Sequence, residues 1–347
     1  MKKSLLILFF TCWALFFAAF RPVMPFAAET AAFPDGTPVT GGRILMGTIG
    51  EPSNLIPYMA SDSASGEITG LLYVAPLKYD KDLNVVPWAA ASYEVLEGGR
   101  LLRFVLRDDI RWEDGVPLTA DDVEFTYKLM IDPKTPTAYS GDFLAIESFK
   151  KTGRLSFEVR YAKPFARSLM TWMGAILPKH VLEGQDIMTT PVARKPIGAG
   201  PYRLAKWDAG SMLTLTASDT YFEGRPNLDE VVYRIIPDPS TMFLELKAGK
   251  LDMMSLSPQQ YLRQTQGPQW ERDWRKYRYL SFSYTFLGFN LEHPFFKDVR
   301  VRRAISMAID RQSLIDGVLL GQGVPTRSAP SAAASARLRA ESAEEST

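Results

Sequence analysis

The residues that could do chemistry in this chain fall into a few groups, and none is arranged as catalysis requires. Asp108, Asp109, Glu113 and Asp114 crowd one short stretch, as a pair of glycosidase carboxylates could. The Trp112-Glu113-Asp114-Gly115 turn signal within it predicts a solvated hairpin instead. Gly198-Ala199-Gly200 invites comparison with a phosphate loop, but Pro201 removes a backbone donor and no Lys-Ser/Thr follows. His180, after Pro178-Lys179, has no partner visible in the sequence and is read as a surface or helix-start residue. His293 lies far from it, and Cys12 is the only cysteine, so neither a Cys/His metal site nor a disulfide framework is expected. Gly-x-Ser-x-Gly and His-Glu-x-x-His do not occur. These residues lead to the expectation of no enzyme, cofactor or metal; a secreted hydrolase acting through Asp114 or His180 is the weakest alternative.

The 347 residues suffice for two or three domains. With 46% hydrophobic and 23% charged residues the composition is that of a globular protein. Forty basic residues against 39 acidic ones leave a net charge of +1, which lacks the footprint of a nucleic-acid binder. The elements that must position a site are mixed α and β. Gly42–Thr48, Arg100–Arg107, Leu155–Tyr161, Leu213–Thr216, Val231–Ile236 and an aromatic-rich Leu280–Asn290 read as strands. Thr119 caps a helix whose face carries Val123, Tyr127, Met130 and Ile131; further helices are expected over Ser240–Ala248, around Val301–Ile309 and after Asp310.

The two ends differ from the middle. Lys2 and Lys3 before an apolar run to Phe20, with small residues at Ala27-Ala28, predict a signal peptide over residues 1–28 and a periplasmic destination. An uncleaved anchor and a lipoprotein at Cys12 are the rival readings. From Ser328 to Thr347, 12 of 20 residues are Ala or Ser, so this tail is not expected to fold alone.

Four motifs in order resemble the family 5 extracellular solute-binding proteins, the oligopeptide-, dipeptide- and nickel-binding subunits of ABC importers. They are Trp112-Glu113-Asp114-Gly115-Val116-Pro117-Leu118-Thr119-Ala120-Asp121-Asp122-Val123, Pro196-Ile197-Gly198-Ala199-Gly200-Pro201-Tyr202, Tyr221-Phe222-Glu223-Gly224-Arg225-Pro226 and Asp298-Val299-Arg300-Val301-Arg302-Arg303-Ala304. The resemblance, read over Gly41–Pro325, implies an α/β periplasmic binding protein fold of type II (cluster C). Residues 29–70 and 196–274 would form lobe I, 71–195 lobe II and 275–325 the start of an incomplete lobe III, with 326–347 a low-complexity tail.

The implied function is capture of a peptide, with delivery to an ABC transporter permease, by a monomer. A peptide-sensing or chaperone-like role is the alternative. The implied ligand-facing residues are Glu51, Ser53 and Asn54 after the first strand, Tyr139 in a lobe II loop, and Phe286 and Asn290 at the entry to lobe III. Phe289 is read as core or contact, and Asn290 also as a turn anchor. Because the family continues for roughly another 150 residues, a domain-sized stretch, a frameshift or premature stop near Thr326–Pro330 is expected. With it comes weak or absent binding.

Overall fold

The computed structural model describes residues 38–278 and 285–325. The expected signal segment and the Ala/Ser-rich tail lie outside the described residues.

Strand β1 (Arg43–Thr48) begins a four-stranded sheet that the chain completes only with β8 (Tyr202–Asp208), β9 (Met212–Ala217) and β10 (Glu230–Ile235), in the order β1-β10-β9-β8. β1 runs parallel to β10, with Leu45 opposite Val232, and the remaining pairs are antiparallel. A long excursion therefore separates two strands that lie side by side. Within it are the hairpin β2 (Leu77–Tyr79) and β3 (Val85–Pro87). A second four-stranded sheet follows, built from β4 (Ala90–Leu96), β5 (Leu101–Leu106), β6 (Ile146–Lys151) and β7 (Ser156–Tyr161) in the order β4-β5-β7-β6.

Alternation explains how the second sheet buries one face. Leu102, Phe104 and Leu106 on β5, and Phe157, Val159 and Tyr161 on β7, point inward and are buried, while Arg103 and Glu158 stay outside and pair across the strands at 2.9 Å. Phe104 faces Phe157 in register, and their rings stack at 4.7 Å. The helix Ala120–Ile131 covers this face with Val123 and Met130, and Tyr127 stacks on Phe149 at 5.1 Å. Thr119 caps this helix as expected, and Asp122 completes the box by accepting from the Thr119 N–H at 2.9 Å. A smaller core gathers Met242, Phe243 and Leu246 of the helix Pro239–Lys247 around Leu251, with Phe243 stacked on Trp270.

The turn at Gly198-Ala199-Gly200 is held against the end of the helix Ser63–Leu72. Gly200 N–H donates to the Leu72 carbonyl at 2.9 Å, and a Cβ on Gly198 would stand 1.9 Å from that oxygen. Only a residue without a side chain permits this approach.

The expected strand at Leu280–Asn290 is not found where it can be seen. Residues 279–284 lie outside the described residues, and 285–290 are irregular, with Phe286 73% exposed and no described strand beside them. A strand needs a ladder partner for its N–H and C=O groups. The helices Val299–Ala308 and Arg311–Val318 do form, each capped by an aspartate, Asp298 and Asp310. Ile315 is the only buried side chain in the pair.

Candidate functional site

The loop after β1 leads to the helix Ser63–Leu72, and one aspartate organises both. Asp62 caps the helix by accepting from Ser65 N–H at 2.7 Å, and its other oxygen accepts from the Ser53 and Ser65 hydroxyls at 2.6 and 2.8 Å. Burial works against the charge of this carboxylate. The hydrogen bonds from Ser53 and Ser65 prevail and hold its pKa below the ordinary value.

A concave cavity of about 390 Å³ opens beside this helix, within the range of roughly 300 to 1,000 Å³ usual for small-ligand sites. Asn54 and Tyr58 come from the loop after β1, and Ser65, Gly66, Thr69 and Gly70 from one face of the helix. Trp88 follows β3, Tyr139 stands before the short helix Ser140–Leu144, and Met170 and Met173 complete the wall.

Tyr58 takes a left-handed backbone conformation, φ 72°, which is unusual for a bulky side chain. It is fixed from both ends: its hydroxyl donates to the Ala175 carbonyl at 2.8 Å, and its own carbonyl accepts from Thr137 Oγ1 at 2.7 Å. Tyr139 packs edge-on against it with ring centres 6.0 Å apart. Trp88 is held through its indole N–H, which donates to the Tyr221 hydroxyl at 2.9 Å; Tyr221 in turn donates to Glu223, and Glu223 pairs with Lys78. The Tyr-Phe-Glu-Gly motif thus steadies a cavity wall from outside it.

The structure distributes the anticipated ligand-facing residues unevenly. Asn54 and Tyr139 meet at the cavity. Glu51 and Ser53 do not line it, and each is bound to its own chain. The Glu51 carboxylate accepts from Trp207 Nε1 at 2.8 Å and from Gly210 N–H at 3.1 Å, with Arg194 at 3.5 Å. Phe286 and Asn290 are also absent from the cavity wall; Asn290 accepts from Glu292 N–H at 3.0 Å and anchors a turn. Tyr58, Trp88, Met170 and Met173 were not anticipated. The helix wall had a readable signal, small residues at i and i+4 in Ser65/Thr69 and Gly66/Gly70.

The acidic stretch is a turn, as expected. Gly115 N–H closes onto the Trp112 carbonyl, Gly115 has φ 87°, and Asp109 is engaged by Arg107 at 2.6 Å. His180 has a partner that the sequence does not show. It does start a helix, Lys179–Leu182, and its Nε2 lies 2.7 Å from Asp114 Oδ2. A separation of 66 residues hid the pair.

Among the described residues, none that lines the cavity is Asp, Glu, Lys, Arg, His or Cys, and no group of three or more metal-ligating side chains occurs. What such a wall offers is shape, aromatic surface and backbone, the means of holding a solute. An α/β body with this cavity beside a strand-to-helix loop belongs to the type II periplasmic binding protein class, and the solved structures bear this out. AppA from Bacillus subtilis, solved in complex with a nonapeptide, superposes with a TM-score of 0.73 at 31% identity, covering 84% of this chain and 58% of that one. NikZ from Campylobacter jejuni, solved in complex with Ni(L-His), gives 0.73 at 26%, covering 83% and 57%.

In sequence, the oligopeptide-binding protein AppA of B. subtilis is 33% identical over 294 residues, which are 83% of this chain and 53% of AppA. The model of the bacterial extracellular solute-binding proteins, family 5 Middle, matches residues 84–343. The chain belongs to this family. It spans just over half the length of AppA, and the family match continues past Pro325, the limit of the motif-based resemblance.

Proposed function

We propose that this chain is an exported substrate-binding subunit of an ABC importer, which captures di- or oligopeptides in the periplasm and hands them to a membrane permease. The observation that carries the reading is the cavity of about 390 Å³, walled by aromatic and small residues at the loop after β1, in a chain 33% identical to an oligopeptide-binding protein. In this reading residues 1–28 are a signal peptide, 29–70 and 196–274 form one lobe, 71–195 a second, and 275–325 begin a third. The pairing of β1 with β10 around the intervening second sheet supports that division. The protein works as a monomer and makes or breaks no covalent bond in its ligand.

A nickel complex, the ligand of NikZ, is the less favoured cargo. The two histidines of this chain are far apart in sequence, and neither lines the cavity.

Thermal melting of the 347-residue chain with peptides of two to nine residues, and in parallel with nickel plus histidine, tests the proposal. A ligand at a hundred times its Kd stabilises the folded state by about 2.7 kcal/mol, so this proposal expects a saturable rise in Tm with peptides, a result that would overturn the weak or absent binding expected from the sequence. A chain whose Tm is moved by nickel–histidine and by no peptide overturns it.

A further inference from the structure

We infer that the cavity beside the helix Ser63–Leu72 selects for an uncharged, bulky apolar side chain of the bound solute, and that Met170 sets this preference at its rim. The inference rests on the peptide-binding reading and adds to it which peptides are taken. Its first ground is that none of the described residues of the wall is an acid, lysine, arginine or histidine. A charged side chain entering there would lose its hydration and meet no opposite charge.

The second ground is that several polar atoms of the wall are already engaged within the chain, the buried Tyr73 hydroxyl being an exception. Ser65 Oγ donates to Asp62 and accepts from the Ser53 and Asn54 N–H groups. Thr69 Oγ1 donates to the Ser65 carbonyl at 2.8 Å. Asn54 Oδ1 accepts from Ile56 N–H at 2.8 Å, and the Tyr58 hydroxyl and the Trp88 indole N–H are bound as described above. An incoming charged group finds neutral hydroxyl, amide and indole groups there, and no opposite charge. An apolar group needs no such partner and meets the methionines and aromatic rings, where sulfur and π surfaces pack favourably. Met173 is partly buried against the main core, whereas Met170 is 48% exposed. The first is therefore tied to the fold, and the second is free to respond to a ligand.

The test is calorimetric titration of the full chain with alanine-based pentapeptides carrying Phe, Leu, Lys or Asp at each position in turn. At one position, Phe and Leu are expected to bind roughly tenfold or more tightly than Lys and Asp. Met170→Glu, at an exposed site that leaves the melting temperature in place, should narrow the gap between the Phe and Lys peptides by about tenfold; Met170→Leu should leave it unchanged. Peptides that bind with the same affinity whatever the substituent, or a Met170→Glu variant that folds and keeps the original ranking, overturn this inference while leaving the peptide-binding function intact. Failure of every peptide to bind overturns both.

Discussion

Glu51 Oε1 accepts a hydrogen bond from Trp207 Nε1 at 2.8 Å, joining the loop after β1 to the β8–β9 hairpin 156 residues later. The second carboxylate oxygen takes the Gly210 N–H at the tip of that hairpin, and the Arg194 guanidinium lies 3.9 Å over the Trp207 ring while approaching Glu51. Cation, ring and carboxylate form one clasp. A residue that family resemblance assigns to the ligand is here engaged in holding the sheet and its loop together.

Glu51→Ala should therefore act on stability first. It strands the indole N–H and the Gly210 N–H, each a hydrogen bond to a charged acceptor, for an expected loss of about 2 to 3 kcal/mol in urea denaturation. Glu51→Gln keeps one acceptor and should lose less. If the Gln variant melts with the parent chain yet binds peptides more weakly by a factor of ten, Glu51 is a ligand contact and the clasp is secondary.

The Gly198 turn makes a sharper prediction, because the clash is with backbone. A methyl group at Gly198 would stand 1.9 Å from the Leu72 carbonyl oxygen and 2.8 Å from its carbon. No rotamer change relieves that contact, so either the turn or the helix end must move. Gly198→Ala is expected to cost about 3 kcal/mol or more, and Gly141→Ala, where nothing lies within 4 Å of the added carbon, less than about 0.5 kcal/mol. Equal midpoints for the two variants would show that the turn is not the pinned junction described.

Local patterns made much of this fold legible. Alternation in Leu101–Leu106 and Ser156–Tyr161 needs only the period of a strand, and Thr119, Asp298 and Asp310 cap their helices through neighbours a few residues away. What escaped was set by distant parts of the chain. His180 meets Asp114, Trp88 meets Tyr221, and Glu51 meets Trp207 across 66, 133 and 156 residues, separations at which pattern carries no signal. The apolar run around Phe286 looked like a strand because composition sets strand propensity, while pairing depends on a neighbour. Asn54 and Tyr139, named through a family resemblance, do line the cavity, whereas Met170 and Met173 acquire their place on the wall only from the packing of the chain around them.

Asp122 provides the prediction in which two opposing effects must be weighed. It is 5% exposed at the start of the helix Ala120–Ile131, and its two oxygens accept from the Thr119 and Lys179 N–H groups at 2.9 and 3.0 Å. Burial disfavours the charged form and is the larger effect; the two backbone donors and nearby His180 favour it and are smaller. The folded-state pKa is accordingly raised above 3.8. A raised carboxyl pKa means that the folded chain holds the proton more tightly than the unfolded one. The stability this contributes is full below 3.8 and is lost as pH rises through the folded-state value.

Other carboxylates, such as Asp62 and Asp109, are shifted the other way and mask the effect in the wild-type chain alone, so the readout is a difference. Asp122→Asn cannot titrate, and it loses an acceptor at one of the two N–H groups, which lowers its stability at every pH. The margin by which wild type exceeds Asp122→Asn in urea denaturation should shrink as pH rises from 3.8 towards neutrality. A margin that instead grows with pH would mean that the two backbone donors outweigh burial, and that the charged Asp122 is the form the capping box was built to hold.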